Sequence, residues 1–149
     1  MAKTVFKATV TSPGGLEMKV ESRGFIFTID EPENLGGTNK GMNPVEVLLG
    51  ALGACIGICI QSFAPVHHIK VNSFTVNLEG DLDPDGFMGI NPDAKKGYSE
   101  VRTYIEIDAD NSEEEIHEFI KFVEGVCPIN DTITNSPVSK MFVNGKELA

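Results

Sequence analysis

Twenty consecutive residues, Val47 to Val66, carry no charge, and no other stretch limits the fold so tightly. The four residues that lead into the run are Asn43-Pro44-Val45-Glu46. Asn caps a helix, Pro at the first helical position gives up no needed hydrogen bond, and Glu three residues past the cap closes a capping box. The spacing therefore predicts a long helix starting at Asn43 and running to about Ala64, since Pro65 cannot continue it. Such a helix is apolar round its whole circumference, which fits either a bilayer span of about 20 residues or the buried centre of a soluble protein. Gly50, Gly53, Gly57, Gln61 and Ser62 interrupt it, no Lys or Arg flanks it closely on both sides, and the remaining chain reads as strands and one amphipathic helix. The expectation is a buried central helix in a single domain, residues 1–149, because halves of a chain this long would have marginal cores.

Composition narrows the function. At 41% hydrophobic and 23% charged, the chain has enough apolar material for a packed core. Twelve basic against 22 acidic residues give a formal charge of −10, which repels phosphate backbones and anionic headgroups. Neither a nucleic-acid nor a membrane partner is expected. Cys55, Cys59 and Cys127 are too few and odd in number for a secreted disulfide framework or a four-thiolate zinc site. Met1 to Lys7 has no signal-like apolar segment, so a reducing cytoplasm is the expected location.

Alternation of apolar and polar residues predicts strands in Lys3–Thr11 and Leu16–Asp30, with Ser12-Pro13-Gly14-Gly15 as the turn between them and a third strand ending at Asp30. Glu31 to Gly41 reads as a loop. Two further strands are expected in Lys70–Glu79 and Glu100–Asp108. Ser112-Glu113-Glu114-Glu115 opens a second capping box, and Ile116, Phe119, Ile120 and Val123 recur at helical spacing. Gly125 is expected to end that helix, Cys127-Pro128 to restart a short one, and Val138–Val143 to form a last strand. This order describes an α+β fold with antiparallel sheets on two main helices.

Cysteine carries the chemistry. If Pro128 begins a helix, Cys127 is its cap, and free N–H groups aimed at the sulfur favour thiolate over thiol; the alternative is a buried structural cysteine. Cys55 lies in mid-helix among glycine and alanine, where an apolar site by itself raises a thiol's pKa. Cys59 is one turn further on. A helical i,i+4 pair stands about 6 Å apart at Cβ, against about 3.8 Å in a disulfide, so core packing is its expected role. A metal site using Cys55, Cys59 and His67 or His68 is the weakest alternative. His117 falls among glutamates on the polar side of its helix. Asp81, Asp83, Asp85 and Gly86 mimic the start of a calcium loop, but Pro92 stands where a bidentate Glu is required. The chain has two arginines, Arg23 and Arg102, either of which could hold a thiolate or orient a peroxide oxygen if placed near a sulfur.

Asn43-Pro-Val-Glu-Val-Leu-Leu-Gly-Ala-Leu-Gly-Ala-Cys55, together with Val126-Cys127-Pro-Ile-Asn130, resembles the OsmC and Ohr family of osmotically induced and organic hydroperoxide resistance proteins. The Gly80–Gly89 turn and the order of elements extend the likeness over essentially the whole chain. The resemblance implies an intertwined homodimer and a thiol-dependent peroxidase for organic hydroperoxides. In that scheme Cys55 attacks the O–O bond to become a sulfenic acid, Cys127 resolves it, and a dithiol partner restores the thiols. No cofactor and no metal is implied. Two departures mark a divergent member: Glu31–Met42 holds no arginine, and Val45 stands where the family's glutamate is expected, with Glu46 one residue later. Glu46 and Arg23 are the orienting groups that remain. The alternative is a non-enzymatic dimer that binds a small ligand or senses redox state.

Overall fold

The computed structural model describes residues 3–148, so the first two residues of the Met1–Lys7 stretch and Ala149 lie outside it. Backbone contacts divide the chain into two compact units, Met1–Gly50 and Ala51–Ala149. In the first, β1 (Thr9–Gly14), β2 (Glu17–Ser22) and β3 (Phe25–Ile29) form an antiparallel meander in the order β1-β2-β3. Val10 pairs with Val20 and Val20 with Phe27, so apolar residues line up across the sheet as alternation requires. The β2–β3 turn is Arg23-Gly24, with φ of 54° and 86°, the left-handed pair that matches strand twist.

Two expectations need correction here. The first strand begins at Thr9 rather than Lys3: Thr9 already pairs with Glu21, and β2 ends one residue later, at Ser22, which reaches upstream through its hydroxyl, donating to Lys7 O at 2.9 Å. Ser12-Pro13-Gly14-Gly15 is not the turn either. The strand continues to Gly14, which pairs with Glu17, and the ladder slips between Thr11 and Gly14, where Pro13 has no N–H to donate.

After β3 comes a loop that contains a single 3-10 turn, Glu33–Leu35. Asp30 organises it from a position only 1% exposed. One carboxylate oxygen accepts from Thr38 N (3.0 Å), Thr38 Oγ1 (2.6 Å) and Lys40 N (3.2 Å), and the other from Glu31 N (2.9 Å). Gly37 completes the turn, since a Cβ there would lie 1.9 Å from the Glu31 carbonyl oxygen. The helix α1 (Pro44–Phe63) follows. Its capping box is formed in both directions: Glu46 N donates to Asn43 Oδ1 at 2.9 Å and Asn43 N to Glu46 Oε2 at 2.8 Å.

The second unit holds the rest of α1, the long antiparallel pair β4 (Val71–Asp81) and β5 (Glu100–Ala109), then α2 (Pro84–Phe87), α3 (Glu113–Val126), α4 (Pro128–Thr134) and a hairpin of β6 (Phe142–Val143) with β7 (Lys146–Glu147). Leu52, Ile56, Cys59 and Ile60 of α1 meet Ile69, Phe119, Val123 and Cys127 in the core. By length and composition α1 could cross a membrane, but these four residues make one of its faces the centre of a protein core. Ala51, Ala54 and Ile58, on the other side, are exposed.

The remaining differences have local causes. Gly125 is helical and α3 runs to Val126, because Pro128 rather than glycine stops it: the residue before a proline is driven out of the helical region, and Cys127 is extended at φ −72°, ψ 111°. Residues 138–141 are not strand. Only Phe142 and Val143 pair, with Glu147 and Lys146 across Asn144-Gly145. The acidic turn between β4 and β5 contains one helical turn, capped by Asp83, whose Oδ1 accepts from Asp85 N.

Candidate active site

The site begins with two faces of α1. Gly53 and Gly57 lie one turn apart, and a Cβ on either would meet β4: Leu78 Cδ1 at 2.6 Å and Phe74 Cε2 at 3.1 Å. Two residues along a helix turn about 200°, so Cys55, midway between these glycines, points away from β4. What it meets is Cys127. The Cys127 S–H donates to Cys55 Sγ at 3.1 Å, joining residues 72 positions apart. All three cysteines are free, and each sulfur lies within 4.8 Å of the other two.

Cys127 is held from both directions. It ends α3, its own N–H bonded to Val123 O at 3.1 Å, and it caps α4, its sulfur accepting from Asn130 N at 3.5 Å. The geometry expected for a helix-cap thiol is therefore present, while the expected electrostatic result is not. Burial pushes the Cys127 thiol above its ordinary value, and the neighbouring Cys55 sulfur adds to this, outweighing the helix N–H groups that pull the other way. Cys127 is 1% exposed and Cys55 half-buried, and water is worth more to a thiolate than one long N–H contact. The proton stays on Cys127 and is offered to Cys55. Burial also raises the Cys59 thiol, with the Cys127 sulfur as the next cause.

The other candidates from the sequence have contacts or settings of their own. Glu46 closes the α1 capping box. Arg23 is exposed in the β2–β3 turn with its guanidinium 5.5 Å over the Phe25 ring. Arg102 is engaged elsewhere, bridging Asp81, Glu100 and Glu79 at 2.6–3.2 Å. His67 packs its ring on Phe119 and Phe122 and is not part of the cysteine cluster. His117 is exposed. Cys59 packs in the core as expected, with its sulfur also beside the other two, while nothing in the sequence signalled the part Asp30 plays in its loop. A cleft of about 190 Å³ is lined by Ile56, Thr103, Ile105, Ile120, Val123, Glu124 and Asn130; of these, the Val123 carbonyl and the Asn130 N–H are hydrogen-bonded to Cys127.

A helix-borne cysteine touching a second cysteine at a helix junction, inside an α+β fold of antiparallel sheets, defines a paired-thiol protein. The profile of the OsmC-like protein family matches residues 37–141, and the chain belongs to that family. It is similar to a hydroperoxide reductase of Mycoplasma pneumoniae, 34% identical over 131 residues that cover 85% of each chain. It is also similar to one of Mycoplasma genitalium, 34% identical over 116 residues, 75% of this chain and 74% of the relative. The crystal structure of an OsmC like protein from Mycoplasma pneumoniae superposes with a TM-score of 0.76 at 28% identity over 91% of both chains.

Proposed function

We propose that the protein is a thiol-dependent peroxidase that reduces organic hydroperoxides. The observation that carries this reading is the 3.1 Å S–H···S contact from buried Cys127 to half-buried Cys55. It supports a role for each sulfur, in which the more open one attacks and the sheltered one keeps its proton until needed. The hydroperoxide reductases to which the chain is similar support the same substrate class.

Each step of the cycle balances. The Cys55 sulfur attacks the terminal peroxide oxygen, the O–O bond breaks, and the alkoxide leaves as an alcohol after taking a proton. Cys55 is then a sulfenic acid. Cys127 attacks that sulfur, water departs, and a Cys55–Cys127 disulfide remains. A dithiol reductant returns both thiols by exchange. Arg23 and Glu46 are the proposed orienting groups, and a homodimer in the cytoplasm is the proposed working form, a second copy covering the apolar side that α1 leaves open.

Cumene hydroperoxide consumption with a dithiol tests the reading. Wild-type turnover should vanish in Cys55→Ser, while Cys127→Ser should stop after one turnover with a dimedone-reactive sulfenic acid. Arg23→Ala and Glu46→Gln should slow turnover without lowering the melting temperature, and light scattering should give twice the chain mass. Wild-type protein no faster than free dithiol would end the proposal. The cleft favours a second reading, a non-enzymatic dimer holding a small apolar ligand, for which Cys55→Ser would leave binding intact.

A further inference from the structure

Cys59 has no part in a two-thiol cycle, yet its sulfur stands within 4.8 Å of both others. We propose that Cys55, Cys59 and Cys127 together form a binding site for a trivalent thiophilic metalloid of the arsenite class. This site is independent of the peroxidase reading, since it needs the three sulfurs and no oxidation.

Geometry is the first support. A pyramidal centre with bonds of about 2.3 Å to three sulfurs and angles of about 100° between them places the sulfurs roughly 3.5 Å apart. The Cys55–Cys127 contact needs to open only slightly from 3.1 Å, and the other two separations are within 4.8 Å. Two donors lie one turn apart on α1, and the third is fixed at the α3–α4 junction by the Val123 carbonyl and the Asn130 N–H. Three ligands thus converge on one point from rigid elements.

Donor number is the second. Zinc takes four ligands in a closed site, and among the described residues no fourth His, Cys, Asp or Glu joins this cluster. His67, the nearest expectation from sequence, has its ring against Phe119 and Phe122. A pyramidal trivalent centre is complete with three sulfurs.

Charge decides between the remaining soft ions. The cluster is packed among the apolar side chains of Leu52, Ile56, Ile60, Phe119 and Val123. Three thiolates on a monovalent or divalent cation leave a net negative charge, which is unfavourable in apolar surroundings. With arsenous acid the balance is neutral throughout: three S–H bonds and three As–OH bonds give three As–S bonds and three waters. Arsenic stays trivalent, and no proton is gained or lost.

That stoichiometry is the test. Reduced wild-type protein is titrated with sodium arsenite and, separately, with zinc chloride, following intact mass and proton release with an indicator dye. Arsenite should add one arsenic less three hydrogens per chain and release no protons, with zinc binding weaker. Cys59→Ala, checked by its melting curve, should bind arsenite about a hundredfold more weakly, having lost one of three tethered donors. Loss of only two hydrogens in the wild type, equal affinity in Cys59→Ala, or displacement of arsenite by equimolar zinc would each overturn the proposal. The mass change is measured on wild-type protein, so it decides the matter even where a Cys59→Ala chain fails to fold.

Discussion

Oxidation of the chain by one equivalent of hydroperoxide should raise its melting temperature by an amount the Cys55–Cys127 separation sets. The two cysteines are 72 positions apart, and closing a loop of that length removes chain entropy from the unfolded state worth about 4 kcal/mol at 25 °C. Native-state cost is small, because the sulfurs, already 3.1 Å apart, move only about 1 Å to bonding distance. For a chain of 149 residues each kcal/mol is worth about 2–4 °C, so Tm should rise by roughly 8–16 °C. Scanning calorimetry at one fixed protein concentration, with and without dithiothreitol, reads the shift, and fixing the concentration matters if the chain self-associates. Cys127→Ser should show no shift and Cys59→Ala should keep it. Oxidised and reduced wild type melting together, or an equal rise in Cys127→Ser, would refute the reasoning that these two sulfurs are the ones that join.

The other predictions follow from burial and hydrogen bonding. Iodoacetamide should label half-buried Cys55 ahead of Cys59 and Cys127, whose thiols burial pushes upward; peptide mapping of brief labelling reads the order, and Cys127 reacting first would contradict it. Side-chain hydrogen bonding from Thr38 holds the Asp30 carboxyl below its ordinary range. Its contribution to stability is therefore present above the ordinary carboxylate pKa and lost as pH falls through the lower folded value. Amide exchange at Thr38 and Lys40 should lose protection only in strong acid, whereas Asp30→Asn, which can keep its oxygen on those donors and turn its nitrogen toward the Glu31 N–H, should lose protection first at Glu31. Phe119→Ala should cost about 3–5 kcal/mol in urea unfolding, as a 2% exposed ring is removed from the core; a cost below about 1 kcal/mol would mean that the ring is not packed as described.

What the sequence disclosed was local. Asn43 and Glu46, Ser112 and Glu115, and Pro128 after Cys127 each fix a helix end through near neighbours in the chain, and all three ends lie where the pattern puts them. Errors came where a partner strand decides. Nothing in Lys3–Ala8 says that β2 will end at Ser22, and nothing in Val138–Met141 says that only the next two residues find a mate. Asp30 is the sharper case. Its position marks only the end of an alternating strand, and a loop folded back by Gly37 and Gly41 is what brings three donors onto one oxygen.

The thiol assignment shows how a correct motif can carry a wrong electrostatic inference. Cys127 before Pro128 does cap a helix, and an N–H does reach its sulfur. However, α4 is seven residues long and the contact is 3.5 Å, whereas the loss of solvent at a 1% exposed cysteine is nearly complete. Desolvation wins and Cys127 stays protonated. What looked like a competition between two nucleophiles becomes a division of labour between a donor and an acceptor. The same small residues make it possible: Gly53 and Gly57 let β4 press against one side of α1, so the opposite side, with Cys55 and Cys59, is held still against the end of α3. A bulky residue at either glycine would push Leu78 or Phe74 outward and shift the helix that carries both thiols. Gly57→Val should therefore damage the Cys55–Cys127 disulfide yield in proportion to its loss of stability, although it touches neither sulfur.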